Sequence, residues 1–554
     1  MIPPERWKPS GGLGLEPNAM LAAMETKRSL ALTAGPGAGK TEMLAQRADF
    51  LLRTGTTRFP RRILAISFKV DAAKNLKERV RTRCGRELAS RLDSFTFHAF
   101  AKRIIDKFRP VLQGNNKLNR GYTIGDQRVH LHQITFKDMV PLAVEILETS
   151  AIARNAVRQT YSHVFLDEFQ DCTADQYKLI QAAFAGTGAA LTAVGDTKQR
   201  IMAWAGALEG IFETFAGEFD AVPLNLYQNF RSKPRLRRMQ NAMVKVMDPG
   251  AAVDDSKIVG SEGSVEILNY ADSQEEAEQL ATRIASWIED DGLDPSEIAV
   301  LVSKQINQYC DILQVELTKR GIPFRNEDST QELSSEPVAA LIVDFLLVVS
   351  GKRQPAAYGR LIELVMFSAT GPDAEYLARA RWDRFVEKCR KSVLVDGVDL
   401  KAEGVLEKLT DDLLAHLGNK TLVGLSPDYE NGTRLKDLIA TTVDRLRSLF
   451  TEENDCVTAL SRFAGDGAVK VMTIHKSKGL EFDTVIVLGV EQETFWGDAD
   501  AERSGFFVAI SRAKRRLYLT VAGHRREPEG ARYWRKSRNG HEEFLGYAGE
   551  DGGS

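Results

Sequence analysis

The first half of the chain alternates short apolar runs with stretches of helical periodicity. Continuous apolar runs of about four to eight residues are typical of strands that are covered on both faces. Such runs predict buried strands at residues 30–33, 61–68, 163–166 and 190–194, and residues 94–100 are interpreted as a further step from strand to helix. Amphipathic stretches follow them, for example at 42–48 and 71–80. This alternation of strand and helix predicts a parallel α/β sheet.

The second half contains a further set of strands and two interrupting segments. The strands are predicted at residues 264–268, 297–302, 469–474, 484–488 and 517–520. A helix-rich block without strand pattern separates the early members of this set from the later ones, and a helical, basic segment interrupts the first set. The predicted domains are 1–100 with 161–225, a small helical insertion at 101–160, 226–330 with 461–525, a helical insertion at 331–460, and a basic tail at 526–554.

The two ends of the chain and one long apolar stretch carry predictions of their own. Residues 1–14 contain Pro and Gly and are expected to form a loose leader without an apolar signal core. The basic tail is expected to be solvated, with nucleic-acid contact as the alternative. The apolar stretch at 338–349, interrupted by Asp344, is too short to cross a bilayer and predicts a buried helix.

Composition narrows the class of protein. The chain has 554 residues, too many for one ordinary core, and an apolar fraction of 43% that is normal for globular proteins. Its net charge of −2 means that a polyanion would need a local basic groove. The five scattered cysteines form no C-x-x-C pair, which indicates neither a disulfide framework nor a zinc site and fits a reducing cytoplasm.

The segment AGPGAGKT at residues 34–41 carries the clearest chemical signal. It comprises Ala34, Gly35, Pro36, Gly37, Ala38, Gly39, Lys40 and Thr41. A glycine-rich turn between a strand and a helix can wrap backbone N–H groups around phosphate oxygens. Lys40 would reach the β- and γ-phosphates and Thr41 would ligate Mg²⁺. The strict pattern begins with Gly rather than Ala34, and a chance glycine-rich turn is the alternative interpretation.

Polar residues follow two later strands of the same predicted sheet. Asp167 and Glu168 come after residues 163–166, and behind a phosphate loop they predict an Mg²⁺ ligand and a residue that polarises the attacking water. Acidic residues at a strand end are also common as helix N-caps. Gln199 follows residues 190–194 and is a candidate to face the γ-phosphate, whereas a surface loop is the alternative.

Taken together, these segments resemble the superfamily 1A DNA helicases of the UvrD/Rep/PcrA group. The matching stretches are AGPGAGKT (34–41), ILAISF (63–68) with AAKNLKERV (72–80), TFHAF (96–100), VFLDEFQDCT (164–173), VGDTKQRIMAWAGA (194–207), LYQNFRS (226–232), VMTIHKSKGLEFDTVIVLG (471–489) and FVAISRAKRRLYLT (507–520). They run in the family's order and span nearly the whole chain.

The resemblance implies two RecA-like domains with ATP and Mg²⁺ between them. Lys40, Thr41, Asp167, Glu168 and Gln199 match the site of the first domain. In the second, Arg231 and Arg512 match the arginine fingers, Glu481 matches a residue beside the nucleotide, and Phe230 stands where the family stacks a Tyr on adenine. An aromatic face suffices for that stacking.

The resemblance also implies contacts with single-stranded DNA and shows three departures. The matching DNA positions are Phe68, Thr96, His98, Trp204 and His475. Core packing is the alternative for Phe68 and Trp204. The departures are Ala19 where the family often has a Gln that reads adenine, Ala205 where it commonly has an Arg, and Met202 where it has a DNA-facing Tyr.

The sequence therefore predicts an ATP-dependent 3′→5′ DNA helicase or translocase that moves on single-stranded or 3′-tailed DNA, without a membrane partner. Two alternatives stay open. One is a DNA-stimulated ATPase that does not separate strands. The other is a subunit of a DNA-repair or anti-phage complex that acts with a separate nuclease, since too little chain follows the last motif for a nuclease domain.

Overall fold

The structure is a computed structural model. It describes residues 1–68, 70–124, 127–199, 207–226, 228–327, 333–334, 336–351, 353–367, 372–418, 421–422, 425, 429, 434–452, 455–464, 467–528 and 533–549. The chain divides into two compact units. The first comprises Met1–Tyr270, Ile474–Arg525 and Tyr533–Ser554, and the second comprises Ala271–Thr473 and Arg526–Arg532.

Strands and helices alternate along much of the chain. The strands are β1 (Leu30–Ala34), β2 (Arg62–Ser67), β3 (Leu92–Thr96), β4 (Leu118–Ile124), β5 (Leu131–Ile134), β6 (Tyr161–Leu166), β7 (Ala190–Gly195), β8 (Val222–Leu226), β9 (Ser264–Asp272), β10 (Ile298–Val302), β11 (Phe324–Asn326), β12 (Val469–Thr473), β13 (Phe482–Val487) and β14 (Ala513–His524). The helices are α1 (Pro17–Met24), α2 (Lys40–Arg53), α3 (Val70–Ala89), α4 (Phe97–Phe108), α5 (Met139–Thr149), α6 (Ala151–Thr160), α7 (Ala174–Phe184), α8 (Ile211–Glu218), α9 (Pro234–Met247), α10 (Ser273–Glu289), α11 (Ile306–Tyr309), α12 (Asp311–Lys319), α13 (Pro337–Ser350), α14 (Pro355–Phe367), α15 (Pro372–Arg390), α16 (Val405–Leu417), α17 (Arg434–Glu452), α18 (Cys456–Ala464), α19 (Ala499–Ile510) and α20 (Glu542–Gly546).

The first sheet has six strands in the order β3-β2-β6-β7-β1-β8, and every neighbouring pair is parallel. Two hydrophobic cores cover its faces, one including α2 and α3 and the other including α4, α5, α7 and α8. Because parallel strands end at a common edge, the segments that follow β1, β2, β3, β6 and β7 lie side by side. These are the segments in which the sequence placed its candidate residues.

A second sheet of six strands confirms the predicted fold class of two parallel α/β sheets. Strands β13 and β14 lie in the first unit, β10, β11 and β12 lie in the second, and β9 spans the boundary in the sequence. Within the first unit β13 pairs in parallel with β14. Within the second unit β12 pairs in parallel with β10 and with β11.

The predicted helical insertion at 101–160 contains two strands that the sequence pattern did not indicate. Strands β4 and β5 form a small sheet of their own. Three of the seven residues of β4 are exposed and only two are buried, so the strand lacks the apolar run that marks buried strands. Helices α5 and α6 meanwhile contribute buried residues to a core of the first sheet.

The second unit contains the predicted buried helix. Helix α13 buries eleven of its fourteen residues, Asp344 among them. The Asp344 carboxylate accepts two hydrogen bonds from the Arg360 guanidinium, at 2.8 and 2.5 Å, which compensates its loss of water. Among the described helices, none has the length and apolar character needed to cross a membrane.

The expectation of a loose leader at residues 1–14 is wrong. The Trp7 side chain is 5% exposed, packs edge-on against Phe50 and donates a hydrogen bond from Nε1 to Asp49 Oδ2 at 2.8 Å. The Ser10 backbone N–H donates to Gln46 Oε1 at 3.0 Å. An indole ring and several hydrogen bonds anchor this segment to α2, although the segment has no hydrophobic periodicity.

The expectation of a solvated basic tail is also wrong for several of its residues. Arg538 is buried near the Glu491 carboxylate together with Arg525, the residue just before the predicted tail, whose Nη2 lies 2.7 Å from Glu491 Oε1. Further along, the Phe544 ring stacks on His541 and packs in the core. Individual residues of this segment therefore belong to buried clusters, whereas Arg526, Arg535 and Lys536 are exposed as expected.

Candidate active site and nucleic-acid interface

The glycine-rich segment joins β1 to α2 as the sequence predicted. Gly39 caps α2 in the left-handed region with φ of 73°, and Gly37 has φ of 69°. The Lys40 ammonium lies over the turn and donates to the Ala34 carbonyl at 3.4 Å. The N-terminal end of a helix and a lysine thus face one small turn, which is the arrangement that binds phosphate.

Gly37 is also a point of close approach between two parts of the chain. A Cβ at this position would overlap Asn229 Oδ1 and would lie 2.6 Å from Arg231 Cβ. The Phe230 N–H donates to the Gly37 carbonyl at 2.9 Å. The segment that carries Phe230 and Arg231 is therefore held directly against the turn. Phe230 itself is 56% exposed, which leaves an aromatic face available for stacking.

The two carboxylates follow β6 at the same edge of the sheet. The Asp167 N–H donates to the Ile66 carbonyl at 2.9 Å, and Asp167 Oδ1 accepts from the Glu168 N–H at 3.0 Å. Glu168 has φ of 53°, a left-handed conformation that is uncommon outside glycine. Neither side chain acts as a helix cap: Thr173 caps α7, and Glu168, which precedes the short 3-10 turn Phe169–Asp171, makes no side-chain capping hydrogen bond to the backbone of that turn.

Electrostatics distinguish the two carboxyl groups. Burial and the neighbouring Glu168 raise the pKa of Asp167 above its ordinary value, although Lys40 opposes this shift. Burial also acts to raise the pKa of Glu168, but Lys40 and Lys478 outweigh it and hold that pKa below its ordinary value. Glu168 is therefore the firmly ionised member of the pair. Asp167 is a buried carboxyl that an added cation would ionise, and its oxygen atoms with the half-buried Thr41 hydroxyl are the hard donors that Mg²⁺ prefers.

Gln199 and Arg512 meet directly. Arg512 Nη2 donates to Gln199 Oε1 at 2.8 Å, and both side chains are 2% exposed. Arg512 also donates from Nε to the Val508 carbonyl at 2.9 Å. Burial, together with Arg231, lowers the pKa of Arg512 to about 9, so the guanidinium remains charged at neutral pH. Gln199 belongs to the packed site, and the alternative that it lies in a surface loop is wrong.

Arg231 is held by Glu481 at the same site. Arg231 Nε donates to Glu481 Oε2 at 2.8 Å, and its Nη1 donates to the Ser511 carbonyl at 3.0 Å. Burial would raise the pKa of Glu481, but Arg231 and Lys514 lower it. The Glu481 side chain keeps 48% of its surface exposed, so it can exchange its partner for an incoming ligand.

Sequence reasoning missed two buried polar residues, although both lie within the motifs quoted above. Gln170 Nε2 donates to Glu168 Oε2 at 2.6 Å. Lys478 Nζ donates to Asp171 Oδ2 at 2.5 Å and to the Gln199 carbonyl at 2.7 Å. The sequence motifs DEFQD and HKSKGLEF include these two residues, but residue spacing alone did not indicate which polar side chains of the motifs are buried.

A cavity of about 570 Å³ adjoins the glycine-rich turn. Its wall includes residues 34–36 and parts of α8 and α9, but not Lys40, Asp167, Glu168 or Arg512. The cavity is therefore separate from the point where the charged side chains converge. We take that convergence, rather than the cavity, as the candidate active site.

The predicted DNA positions that the structure describes lie in the first unit. Phe68 is half-buried and meets the Phe97 ring edge-on at 5.4 Å between centroids. The Thr96 hydroxyl caps α4 by accepting from the Ala99 N–H at 3.2 Å. His475 is half-buried just after β12. Trp204 lies outside the described residues, as do Met202 and Ala205.

An aromatic pair lies among these positions, in which Phe136 is exposed and His98 is half-buried. The His98 ring stacks on Phe136 with 3.8 Å between centroids and 24° between planes. Phe136 is 54% exposed and was not identified from the sequence. Burial lowers the pKa of His98, so this ring is neutral at pH 7. A solvent-exposed aromatic stack is a surface on which an unpaired base can lie.

Comparisons with known proteins agree with this arrangement. A family model described as an AAA domain matches residues 18–205, and one described as the UvrD-like helicase C-terminal domain matches residues 224–372 and 406–524. The chain belongs to the UvrD/Rep/PcrA-like helicase family.

The individual relatives have low sequence identity to this chain, but the matches extend over most of its length. DNA helicase II of Escherichia coli is 24% identical over 80% of this chain, and the match spans 66% of that protein. DNA helicase II of Salmonella typhimurium is 22% identical over 96% of this chain and 86% of its own length. ATP-dependent DNA helicase PcrA of Bacillus subtilis is 22% identical over 92% of this chain and 83% of its own length.

Proposed function

We propose that this helicase-family protein is an ATP-dependent DNA helicase that moves 3′→5′ along single-stranded DNA. The observation that carries the ATPase part is the hydrogen bond between Arg512 and Gln199, formed near the buried Asp167 and the half-buried Glu168. The relatives' names carry the DNA part. The 3′→5′ direction rests on the family resemblance, and we retain the predicted domain boundaries as part of the proposal.

The proposed roles follow from the chemistry of each group. The glycine-rich turn and Lys40 hold the triphosphate, and Phe230 stacks on the base. Thr41 and Asp167 would hold Mg²⁺, which supplies charge neutralisation between the phosphates when it is bound. Glu168, as the ionised carboxylate, orients and deprotonates the attacking water.

The arginines stabilise the charge that develops on the γ-phosphoryl oxygens. Arg512 and Gln199 are hydrogen-bonded to each other. A γ-phosphate that displaces a contact of one residue therefore also changes the contacts of the other. Arg231 exchanges the Glu481 carboxylate for phosphate oxygens, and the released Glu481 is then available to the nucleotide sugar. This exchange makes ATP binding change the contacts of a second chain segment, which is what a motor cycle requires.

The DNA track is proposed from stacking residues. Phe68, Trp204 and the stack of His98 on Phe136 would support bases without reading their sequence. Thr96 and His475 would contact the strand through polar atoms. No described residue specifically favours either alternative, a DNA-stimulated ATPase without unwinding or a subunit that acts with a separate nuclease.

Steady-state ATP hydrolysis with and without single-stranded DNA tests the proposal. We expect strong stimulation by DNA in the wild type and loss of hydrolysis in Lys40→Ala, because Lys40 is the cation that the glycine-rich turn itself would place at the β- and γ-phosphates. Lys178→Ala, an exposed lysine paired with Glu148, is the matched control and should behave as the wild type. A Lys40→Ala protein with full turnover would contradict the phosphate-loop assignment.

Strand displacement on duplexes with a 3′ or a 5′ tail tests the DNA part separately. We expect the labelled strand to be released from the 3′-tailed duplex alone. DNA-stimulated hydrolysis without displacement on either duplex would favour the ATPase alternative. Displacement only from the 5′-tailed duplex would reverse the proposed direction.

A further inference from the structure

Gln170 joins the proposed catalytic base to the backbone of the neighbouring strand. Its side chain is 1% exposed. Nε2 donates to Glu168 Oε2 at 2.6 Å, while Oε1 accepts from the Asp196 N–H at 3.0 Å. Gln170 therefore connects the segment after β6 with the segment after β7.

The orientation of this amide is fixed by its partners. A backbone N–H only donates and an ionised carboxylate only accepts, so the amide oxygen must face Asp196 and the amide nitrogen must face Glu168. The amide also lies tightly against Gly195, where a Cβ would overlap Gln170 Oε1 and lie 3.0 Å from Phe212 Cζ. Neither a glutamate nor an apolar residue can supply both contacts.

The same hydrogen bonds continue to the arginine. The Asp196 carboxylate is 0% exposed and accepts from Gln199 Nε2 at 3.0 Å. Gln199 Oε1 in turn accepts from Arg512 Nη2 at 2.8 Å. Hydrogen bonds, joined at Asp196 through that residue's own covalent bonds, thus connect the half-buried Glu168 with the buried Gln170, Gln199 and Arg512.

We propose that Gln170 is a positioning residue that fixes the Glu168 carboxylate relative to Gln199 and Arg512, so that the base and the arginine adopt their working geometry together. The proposal rests on ATP hydrolysis as the proposed function. Glu168 needs this support because it lies at a left-handed backbone position, φ 53°, where its own chain does not hold the side chain in a standard strand or helix setting. Small displacements of a catalytic group lower the rate strongly without changing substrate affinity.

Two substitutions separate the two arms of the amide. Gln170→Glu keeps the shape and the acceptor toward Asp196, but it loses the donor and places a like charge beside Glu168. Gln170→Leu removes both arms. We expect kcat of DNA-stimulated hydrolysis to fall roughly 10- to 100-fold in each, because misplacing a reacting group by about 1 Å has effects of this size.

The division between kcat and binding is the decisive readout. The KM and the Kd for a fluorescent ATP analogue should change less than about twofold, since Gln170 makes no described hydrogen bond to residues 34–41. Gln181→Leu is the matched control, because Gln181 Nε2 donates to the Glu218 carboxylate at 2.8 Å on nearby α7. That variant should keep full kcat.

A double-mutant cycle with Glu168→Gln tests whether Gln170 acts through Glu168. In single-turnover measurements, Gln170→Leu should add little to the loss caused by Glu168→Gln. If the rate losses of the two single variants multiply in the double variant, or if the nucleotide binds more weakly, Gln170 has a general structural role and the proposal is overturned. Full kcat in both Gln170 variants beside an inactive Lys40→Ala would overturn it while leaving the proposed function intact. A wild type without DNA-stimulated hydrolysis would instead overturn the proposed function.

Discussion

In the first unit, the proposed nucleotide site and the proposed DNA-contacting positions differ in how their residues are held in place. At the nucleotide side Gln199, Asp196 and Arg512 are buried, and each is fixed by hydrogen bonds to named partners. At the DNA side Phe136 and His98 meet face to face, with Phe136 largely exposed. Buried ionic groups tolerate one geometry, whereas exposed rings tolerate many, so a substitution should cost far more at the first site than at the second.

The largest effect is expected for Arg512. Arg512→Ala should lower kcat about 10³-fold or more, because arginines that stabilise the γ-phosphoryl charge contribute on that scale. Arg512→Lys keeps the charge but loses the forked geometry that holds Gln199 and the Val508 carbonyl, so it should recover little. Steady-state hydrolysis at saturating ATP and DNA measures both.

Arg515→Ala is the control for that prediction. Arg515 is three residues away and 61% exposed, and its ion pair with Asp483 is long, at 3.6 Å. Its loss should leave kcat unchanged. If Arg512→Ala kept kcat within about threefold of the wild type, the arginine-finger role would be wrong, since arginine fingers contribute roughly 10³- to 10⁵-fold.

A smaller effect is expected for the exposed stack. Phe136→Ala should weaken single-stranded DNA binding about tenfold, since stacking of one base contributes on the order of 1–3 kcal/mol. The salt dependence of binding should stay the same in His98→Ala at pH 7.5, because burial lowers the pKa of His98 and the neutral ring releases no counterion. Fluorescence anisotropy over a salt series measures both quantities.

Phe59→Ala is the matched control for the stack, because Phe59 is 84% exposed and was not placed on the track. DNA affinity in that variant should equal that of the wild type. Equal affinity in Phe136→Ala and Phe59→Ala would show that the stack of His98 on Phe136 is structural only. Basal hydrolysis without DNA should be unaffected in both.

The smallest effect is expected for Phe68. This side chain is a predicted DNA contact, but it is half-buried and also packs in the core. Phe68→Leu keeps an apolar side chain against Phe97 but removes the stacking face, so DNA affinity should fall about fivefold, the lower limit for loss of a base stack. Phe95→Leu is the control, since Phe95 packs against the same core from strand β3. A lower free energy of unfolding with unchanged DNA affinity would identify Phe68 as a core residue only.

The fold was predictable because buried parallel strands leave long apolar runs, as at residues 190–194. Strands β4, β5, β8 and β11 were missed because they lack such runs: exposed residues interrupt β4, β5 and β8, and β11 has only three residues. Lys40, Asp167 and Arg512 were found through sequence motifs. Gln170 was not assigned a role, because only the folded chain shows that its amide lies between Glu168 and the Asp196 backbone.

The docked leader has a practical consequence for how the chain can be shortened. Trp7 and Ser10 bond to Asp49 and Gln46, which lie on the helix that begins with Lys40. Deleting the first ten residues would uncover a hydrophobic patch on that helix and remove the indole donor from a buried carboxylate. In such a truncated protein the destabilised element would be α2, which begins with Lys40 and lies far from the deletion in the sequence. The truncated protein would therefore be poorly suited to measurements of ATP hydrolysis.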